Sequence, residues 1–184
     1  MSTAEALPLV TFEAFLAGEQ VAERPHEWVA GRVYAMTGGT ERHDLMVGLV
    51  YEALAPAADR RGCRPFAQNR LVRLGEAAYY PDVLVVCRDD RRPDRHFEHD
   101  LSWVVEVLSP STESLDRREK ATAYGAATLF ELYAIIDPER RRIEVATRTD
   151  LGLRWDVYTS GHVVPQLELD VDRLYDALER RALT

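Results

Sequence analysis

Two short apolar runs, each carrying a carboxylate, constrain the fold of this chain more than any other feature. Pro81 and Asp82 open the run 83–86, and Glu106 lies inside the run 103–108. Both runs are rich in valine and leucine and are bounded by polar segments, which is typical of buried strands. A buried carboxylate is costly unless it is paired, protonated or bound to a metal. If the two strands are neighbours, Asp82 and Glu106 meet and would bind a divalent cation, which prefers oxygen ligands.

Length and composition predict a single globular domain over residues 1–184. The chain is long enough to bury a core, and 46% apolar residues suffice to build one. No apolar stretch is long enough to span a bilayer, and the N-terminus lacks the order of a signal peptide. We therefore expect a cytosolic protein without a membrane partner. Cys63 and Cys87 are isolated in sequence, and we predict that they are free thiols that pack in the interior.

The charged residues show one asymmetry. The net charge of -8 argues against a protein that coats nucleic acid non-specifically. Of the 23 basic residues 22 are arginine, and Lys120 is the single lysine. This suggests that position 120 needs an ammonium group, although chance would give the same result. Five arginines close in sequence would form either a basic rim for DNA or a solvated face: Arg60, Arg61, Arg64, Arg70 and Arg73.

Hydrophobic periodicity predicts an α/β domain with a mixed sheet. The predicted helices cover residues 11–17, 41–61, 115–126 and 171–183. A hairpin is predicted over 25–36, with strands over 66–74, 79–87, 101–108 and 131–136 and an antiparallel pair over 143–147 and 153–159. Glu27 lies at the mouth of the hairpin, and His43 lies in the first turn of the second helix. His96 and His99 have a spacing that would suit a metal, but their charged loop favours solvated histidines.

In this order, several short motifs resemble the PD-(D/E)XK nuclease superfamily, and more closely its Uma2-like branch, also called DUF820. The resemblance covers nearly the whole chain. It rests on the hairpin 27–31, His43, the segments 80–83, 105–112 and 135–138, and the helical residues Asp116, Lys120 and Tyr124. It implies a restriction-endonuclease-like mixed β-sheet flanked by helices, with an added N-terminal hairpin and C-terminal antiparallel strands.

The chain departs from the superfamily pattern at one position. The pattern has a lysine two residues after the glutamate, where this chain has Leu108. Lys120, on the following helix, is the only lysine that could take that role. Asp116, Lys120 and Tyr124 are four residues apart and therefore line one helical face. That face would hold Lys120 over the carboxylates.

The resemblance implies metal-dependent hydrolysis of phosphodiester bonds in DNA. Asp82, Glu106 and the carbonyl of Val107 would hold Mg²⁺ or Mn²⁺. Lys120 would orient or help to deprotonate the attacking water and offset charge on the phosphate. Glu27 would add a carboxylate, and His43 or Gln68 a hydrogen bond. Nucleases of this fold often pair to cut both strands, so a homodimer is expected by analogy.

Two other functions remain open from the sequence. The chain would be a binding or regulatory module if the acidic pair were a catalytically inactive remnant, as Leu108 and the negative charge suggest. It would be a metal-free hydrolase if two carboxylates acted as acid and base. A calorimetric titration with Mg²⁺ or Mn²⁺ separates these functions, because the metal-free hydrolase predicts no binding.

Overall fold

The computed structural model describes residues 8–36, 38–88, 96–109 and 119–183. Its helices are α1 (Phe12–Glu19), α2 (Glu41–Arg60), α3 (Ala121–Gly125) and α4 (Val171–Ala182). Its strands are β1 (His26–Val29), β2 (Arg32–Ala35), β3 (Arg64–Ala67), β4 (Leu71–Leu74), β5 (Ala77–Tyr79), β6 (Val83–Val86), β7 (Phe97–Glu98), β8 (Trp103–Val107), β9 (Leu132–Asp137), β10 (Arg142–Thr149), β11 (Gly152–Thr159), β12 (Val163–Val164) and β13 (Leu169–Asp170). Residues 115–118 of the predicted helix 115–126, including Asp116, lie outside the described residues.

The central sheet has six strands in the order β11-β10-β9-β8-β6-β3. Neighbouring strands are antiparallel except β8 and β9, which are parallel. The predicted mixed sheet is therefore confirmed, and so are the antiparallel strands near the C-terminus. The short pair β12 and β13 was not predicted.

A second sheet of five strands has the order β2-β1-β5-β4-β7. The predicted hairpin forms its outer part, with β1 antiparallel to β2. Ala30 and Gly31 make the turn with φ of 47° and 81°, a conformation that glycine adopts without steric cost. The sheet brings the hairpin beside the central sheet, which positions Glu27 at the site described below.

Side-chain caps define where three helices begin. Thr11, Thr40 and Asp170 each accept a hydrogen bond from the backbone N–H three residues later. This satisfies donors that a helix leaves unpaired in its first turn. The structure confirms the predicted start of the second helix and places His43 in its first turn. None of the helices among the described residues has the length and apolar character to cross a membrane.

The two faces of the central sheet are buried against different layers. Strand residues alternate between the faces. Val83, Val85 and Val105 pack with α2 and α4 on one face, whereas Leu84 and Val104 pack with α3 and the second sheet on the other. Glu106 has the same parity as Val104, so its side chain points toward the layer that contains α3 and the second sheet.

Two predicted strands are each divided in the structure. The prediction over 66–74 is wrong because β3 ends at Ala67, and Gln68 and Asn69 then adopt φ of 49° and 48°. These left-handed residues turn the chain from the central sheet into β4 of the second sheet. The predicted strand 79–87 contains β6, and only its first residue, Tyr79, belongs to β5 of the other sheet. Alternation along a sequence does not reveal which sheet a strand joins.

The prediction that Cys63 and Cys87 are free thiols is wrong, because they form a disulfide. Arg64 is opposite Val86 in the antiparallel pair β3 and β6, so the next pair outward is Cys63 opposite Cys87. Their Cα atoms are 4.2 Å apart. Their sequence separation of 24 concealed this proximity, which depends on the strand register.

Candidate active site

Asp82 and Glu106 meet across two neighbouring strands. Val83 lies opposite Val105 in the antiparallel pair β6 and β8, so the next pair is Asp82 opposite Glu106. Residues opposite each other in such a pair project from the same face of the sheet. The Asp82 N–H lies 3.4 Å from Glu106 Oε2, and Asp82 Oδ2 accepts a hydrogen bond of 2.8 Å from the Val107 N–H. The two carboxylates are thus held by the sheet itself.

Glu106 is buried and hydrogen-bonded at both ends of its carboxylate. Its side chain is 4% exposed. Oε1 accepts hydrogen bonds from Lys120 at 3.2 Å and from the Tyr124 hydroxyl at 2.8 Å. Oε2 is directed toward Asp82. These contacts offset the cost of burying the charge.

Lys120 lies between two carboxylates from different layers. Its Nζ is 3.2 Å from Glu106 Oε1 and 3.1 Å from Glu27 Oε1. The side chain is 4% exposed, and its ammonium lies 5.6 Å from the centre of the Tyr79 ring. A buried cation is tolerated when it is paired and hydrogen-bonded in this way. The lysine after the glutamate is replaced by Leu108, but a lysine ammonium is nonetheless present beside Glu106.

Glu27 reaches this cluster from β1 of the second sheet. It lies opposite Tyr34 in the hairpin, yet it is buried rather than at an exposed edge. Burial, followed by the charge of Glu27, raises the pKa of the Tyr79 hydroxyl to about 12. The second sheet therefore supplies a negative charge on the side of Lys120 opposite Glu106.

His43 contacts Asp82 from the start of α2. Its Nε2 lies 3.3 Å from Asp82 Oδ2, and its Nδ1 lies 3.1 Å from Asp44 Oδ1. Burial alone lowers the pKa of His43, but the hydrogen bond and charge of Asp82, helped by Asp44, outweigh it and raise the pKa to about 9. Gly39 is needed beside it, because a Cβ there would be 2.5 Å from His43 Nδ1.

A cavity of about 290 Å³ opens in front of these side chains. It is bordered by Asp82, Glu106, Lys120 and His43 together with the backbone segment that includes Val107 and Ser109. Its lining also includes Arg24, Pro25, Tyr80, Gln68 and Asn69. Sequence reasoning missed Arg24 and Asn69. A signal for Asn69 was available, since asparagine is one of the few non-glycine residues that adopt positive φ readily.

The donor set fits a hard divalent cation. Mg²⁺ is held in proteins by one or two carboxylates and keeps several of its waters. Asp82, Glu106 and Val107 border the same cavity and match that requirement. Among the residues that the structure describes, no group of three or more His, Cys, Asp or Glu side chains is arranged for a metal. An ion here would therefore depend on the two carboxylates, a backbone oxygen and the substrate.

The two loop histidines do not join this cavity. Neither His96 nor His99 borders it. The His99 ring packs edge-on against Phe97, with 4.7 Å between ring centres. This contact accounts for His99 without a metal.

The five arginines of the predicted basic rim do not line the cavity either. Arg60 and Arg61 end α2, whereas His43 begins it, which separates them by roughly 25 Å along the helix axis. All five have partners within the chain: Arg60 binds Glu168, Arg61 binds Glu131, Arg70 binds the buried Glu98, Arg73 stacks on Phe12, and Arg64 lies over the Phe66 ring. The five therefore do not form a rim around this cavity.

Comparison with known proteins gives consistent results. The model of the Uma2 family, described as "Putative restriction endonuclease", matches residues 12–175. Two uncharacterized proteins of Synechocystis sp. are similar: slr1290 is 28% identical over 153 residues (82% of this chain and 80% of that protein), and sll1609 is 23% identical over 140 residues (74% and 79%).

A solved structure shares the fold. The crystal structure of "a putative nuclease belonging to DUF820 from Anabaena variabilis" superposes with a TM-score of 0.76 at 17% identity. The match covers 92% of this chain and 99% of that one. The predicted family and the predicted fold are thereby confirmed.

Proposed function

Because the chain belongs to the Uma2 family, we propose that it is a metal-dependent endonuclease that hydrolyses phosphodiester bonds in DNA. The family description supports a nuclease. The whole of residues 1–184 would form one nuclease domain, with Mg²⁺ or Mn²⁺ as cofactor. Asp82, Glu106 and the carbonyl of Val107 are the proposed metal ligands.

One observation supports this function above others: an ammonium group lies beside a carboxylate pair at the edge of a cavity. Asp82 and Glu106 are cross-strand neighbours, and Lys120 Nζ is 3.2 Å from Glu106. Phosphoryl transfer needs cations where negative charge develops, and a positioned group near the attacking water. Although Leu108 stands where the superfamily pattern has a lysine, the site still contains two carboxylates and a lysine ammonium.

Each side chain has a distinct proposed task. Asp82 and Glu106 would hold the ion, whose chemistry would be to polarise the phosphate and lower the pKa of a water. Lys120 would hold the attacking water and offset charge on the phosphate. Glu27 keeps Lys120 in place from the opposite side, at 3.1 Å. His43 fixes Asp82 and places a positive charge at the cavity wall, where it would also contact a phosphate oxygen.

The metal site is tested by calorimetric titration with Mn²⁺ and Mg²⁺. We expect binding by the parent protein and none by Asp82→Asn or Glu106→Gln, with folding checked by circular dichroism. Glu168→Gln, which removes an exposed carboxylate at the far end of α2, should bind like the parent. Equal affinity in the two site variants and the parent would exclude the proposed ligands. A parent protein that binds no ion would instead favour metal-free acid–base hydrolysis.

Cleavage is tested on supercoiled, linear, branched and single-stranded DNA and on RNA, at low salt. We expect Mn²⁺- or Mg²⁺-dependent cutting of at least one DNA substrate, lost in Asp82→Asn. Cutting should fall as salt rises, because added salt screens the attraction between the phosphates and the cations of the protein. Metal binding without cleavage of any substrate would favour a binding or regulatory module.

A further inference from the structure

Strand β11 is the outermost strand of the central sheet in the described part of the chain. It has eight residues and pairs with β10 along its whole length. Its other side carries backbone groups that no described strand pairs with. An edge of this length is a template for pairing with another strand unless something blocks it.

The side chains of β11 have an ordered pattern. Trp155 and Val157 project from one face and remain 39% and 46% exposed. Leu153 is on the same face. Arg154 and Asp156 project from the other face and form an ion pair of 3.0 Å, with side chains 63% and 36% exposed. The strand thus has an apolar row on one face and a plus–minus pair on the other.

This pattern is self-complementary in one register. A two-fold axis perpendicular to the sheet maps each face onto itself, so a residue faces a residue of the same parity on the second copy. Centred on Trp155, the pairing sets Arg154 opposite Asp156, twice, and Leu153 opposite Val157. If the axis passes through residue 154, Arg154 faces Arg154 of the second copy, and if it passes through residue 156, Asp156 faces Asp156. Both arrangements set like charges opposite each other, which is unfavourable.

We propose that β11 pairs antiparallel with β11 of a second copy of the chain about a two-fold axis through Trp155. The two central sheets would then form one continuous sheet of twelve strands. Reciprocal Arg154 and Asp156 contacts set the register, and the apolar row adds buried area. The interface lies three strands away from β8, so its formation does not depend on the nuclease function.

The opposite interpretation is that the charges keep this edge monomeric. Charged side chains on edge strands often serve that purpose. The two interpretations differ in what charge reversal does: it disrupts a pairing that uses the charges, and it leaves a monomer monomeric.

The test measures the dimer dissociation constant by analytical ultracentrifugation. We expect the parent to be a dimer, and Arg154→Asp and Asp156→Arg each to raise the constant about tenfold or more, because each sets like charges opposite each other twice. The double variant should recover the parent constant. An equimolar mixture of the single variants should form a heterodimer, because every facing pair is again opposite in charge.

Arg60→Asp serves as the matched control, since Arg60 is also an exposed ion-paired arginine but lies on α2. It should leave the dissociation constant unchanged. A monomeric parent, or single variants that dimerise as the parent does, would overturn the proposal. So would a mixture that forms no heterodimer.

A cross-link gives a second measurement that needs no charge change. Trp155→Cys places the new thiol on the proposed axis, so two copies should join through a disulfide on oxidation. Val157→Cys should not join to itself, because it faces Leu153. Failure of Trp155→Cys to cross-link, with the protein folded, would overturn the proposed register.

Discussion

Tyr124 donates a hydrogen bond of 2.8 Å to Oε1 of Glu106, and both side chains are buried. The tyrosine is fixed by its neighbours, since its ring lies 5.8 Å from that of Tyr79 and 5.3 Å from that of Tyr133. Burial, followed by the charge of Glu106, raises the pKa of the Tyr124 hydroxyl well above its usual value. It therefore remains a hydrogen-bond donor throughout the pH range of activity assays.

Replacing Tyr124 by phenylalanine should impair the reaction without altering the ligands. A hydrogen bond to a charged group is worth about 1.5–3 kcal/mol, and its loss leaves Glu106 less well oriented. We expect kcat to fall about tenfold or more with KM little changed, and Mn²⁺ to bind less tightly. Steady-state kinetics and calorimetry measure both.

Tyr175→Phe is the matched control for this prediction. Tyr175 is also buried, and its hydroxyl donates to the Asp137 carbonyl at 2.6 Å, away from the cavity. We expect Tyr175→Phe to lower stability but to leave kcat at the parent value. Equal kcat in both variants would show that the Tyr124 hydroxyl contributes only to the stability of the fold and not to the reaction.

Replacing Lys120 by arginine should lower the cleavage rate about a hundredfold or more, which is typical for loss of an acid–base or electrostatic group. The ammonium is a compact charge between Glu27 and Glu106. A guanidinium is planar and larger and stays protonated. We expect the fold and the metal affinity to persist, as circular dichroism and calorimetry would show.

Arg60→Lys makes the reverse exchange at an exposed position and should cut at the parent rate. A Lys120→Arg protein that also cut at the parent rate would mean that the single lysine is an accident of composition. The 22 arginines elsewhere would then carry no information about position 120.

The sequence predicted the centre of the candidate site well because that centre depends on two adjacent strands. The runs that contain Asp82 and Glu106 are short and strongly apolar, so their strand character was clear. Antiparallel pairing then sets one residue opposite the other. Only one local decision about register was needed, and the structure sets Val83 opposite Val105.

The other residues around that pair, Glu27, Lys120 and His43, were expected from the family resemblance and not from local pattern, because their positions depend on contacts between layers. Nothing in the hairpin indicates that Glu27 would reach Lys120 from a separate sheet. The division of the strands at Gln68 and Asn69 was hidden for the same reason. Arg60 and Arg61 lie far from His43, because a helix of 20 residues carries its two ends far apart.

Arg24 should contribute to substrate binding rather than to chemistry. It is exposed and borders the same cavity as the carboxylates, where it would meet a phosphate. We expect Arg24→Ala to raise KM several-fold with kcat little changed. The slope of the logarithm of the DNA-binding constant against the logarithm of the salt concentration should also become shallower. The change should be about what one phosphate contact contributes. Cleavage kinetics at a series of salt concentrations give both quantities.

Arg60→Ala is the control for Arg24, since it removes an exposed arginine far from the cavity. It should change neither KM nor the salt dependence. If Arg24→Ala behaved in the same way, DNA would approach the cavity without contacting Arg24.

The disulfide between Cys63 and Cys87 should stabilise the fold by joining β3 to β6. It closes a loop with a sequence separation of 24, and a loop of that length gives about 3 kcal/mol in the chain-entropy model. We expect reductant to lower the free energy of unfolding of the parent by about that amount, measured by urea denaturation. The double variant Cys63→Ala with Cys87→Ala should be insensitive to reductant. If the parent, unfolded without reductant, showed two thiols that react with a thiol reagent, the disulfide would be absent.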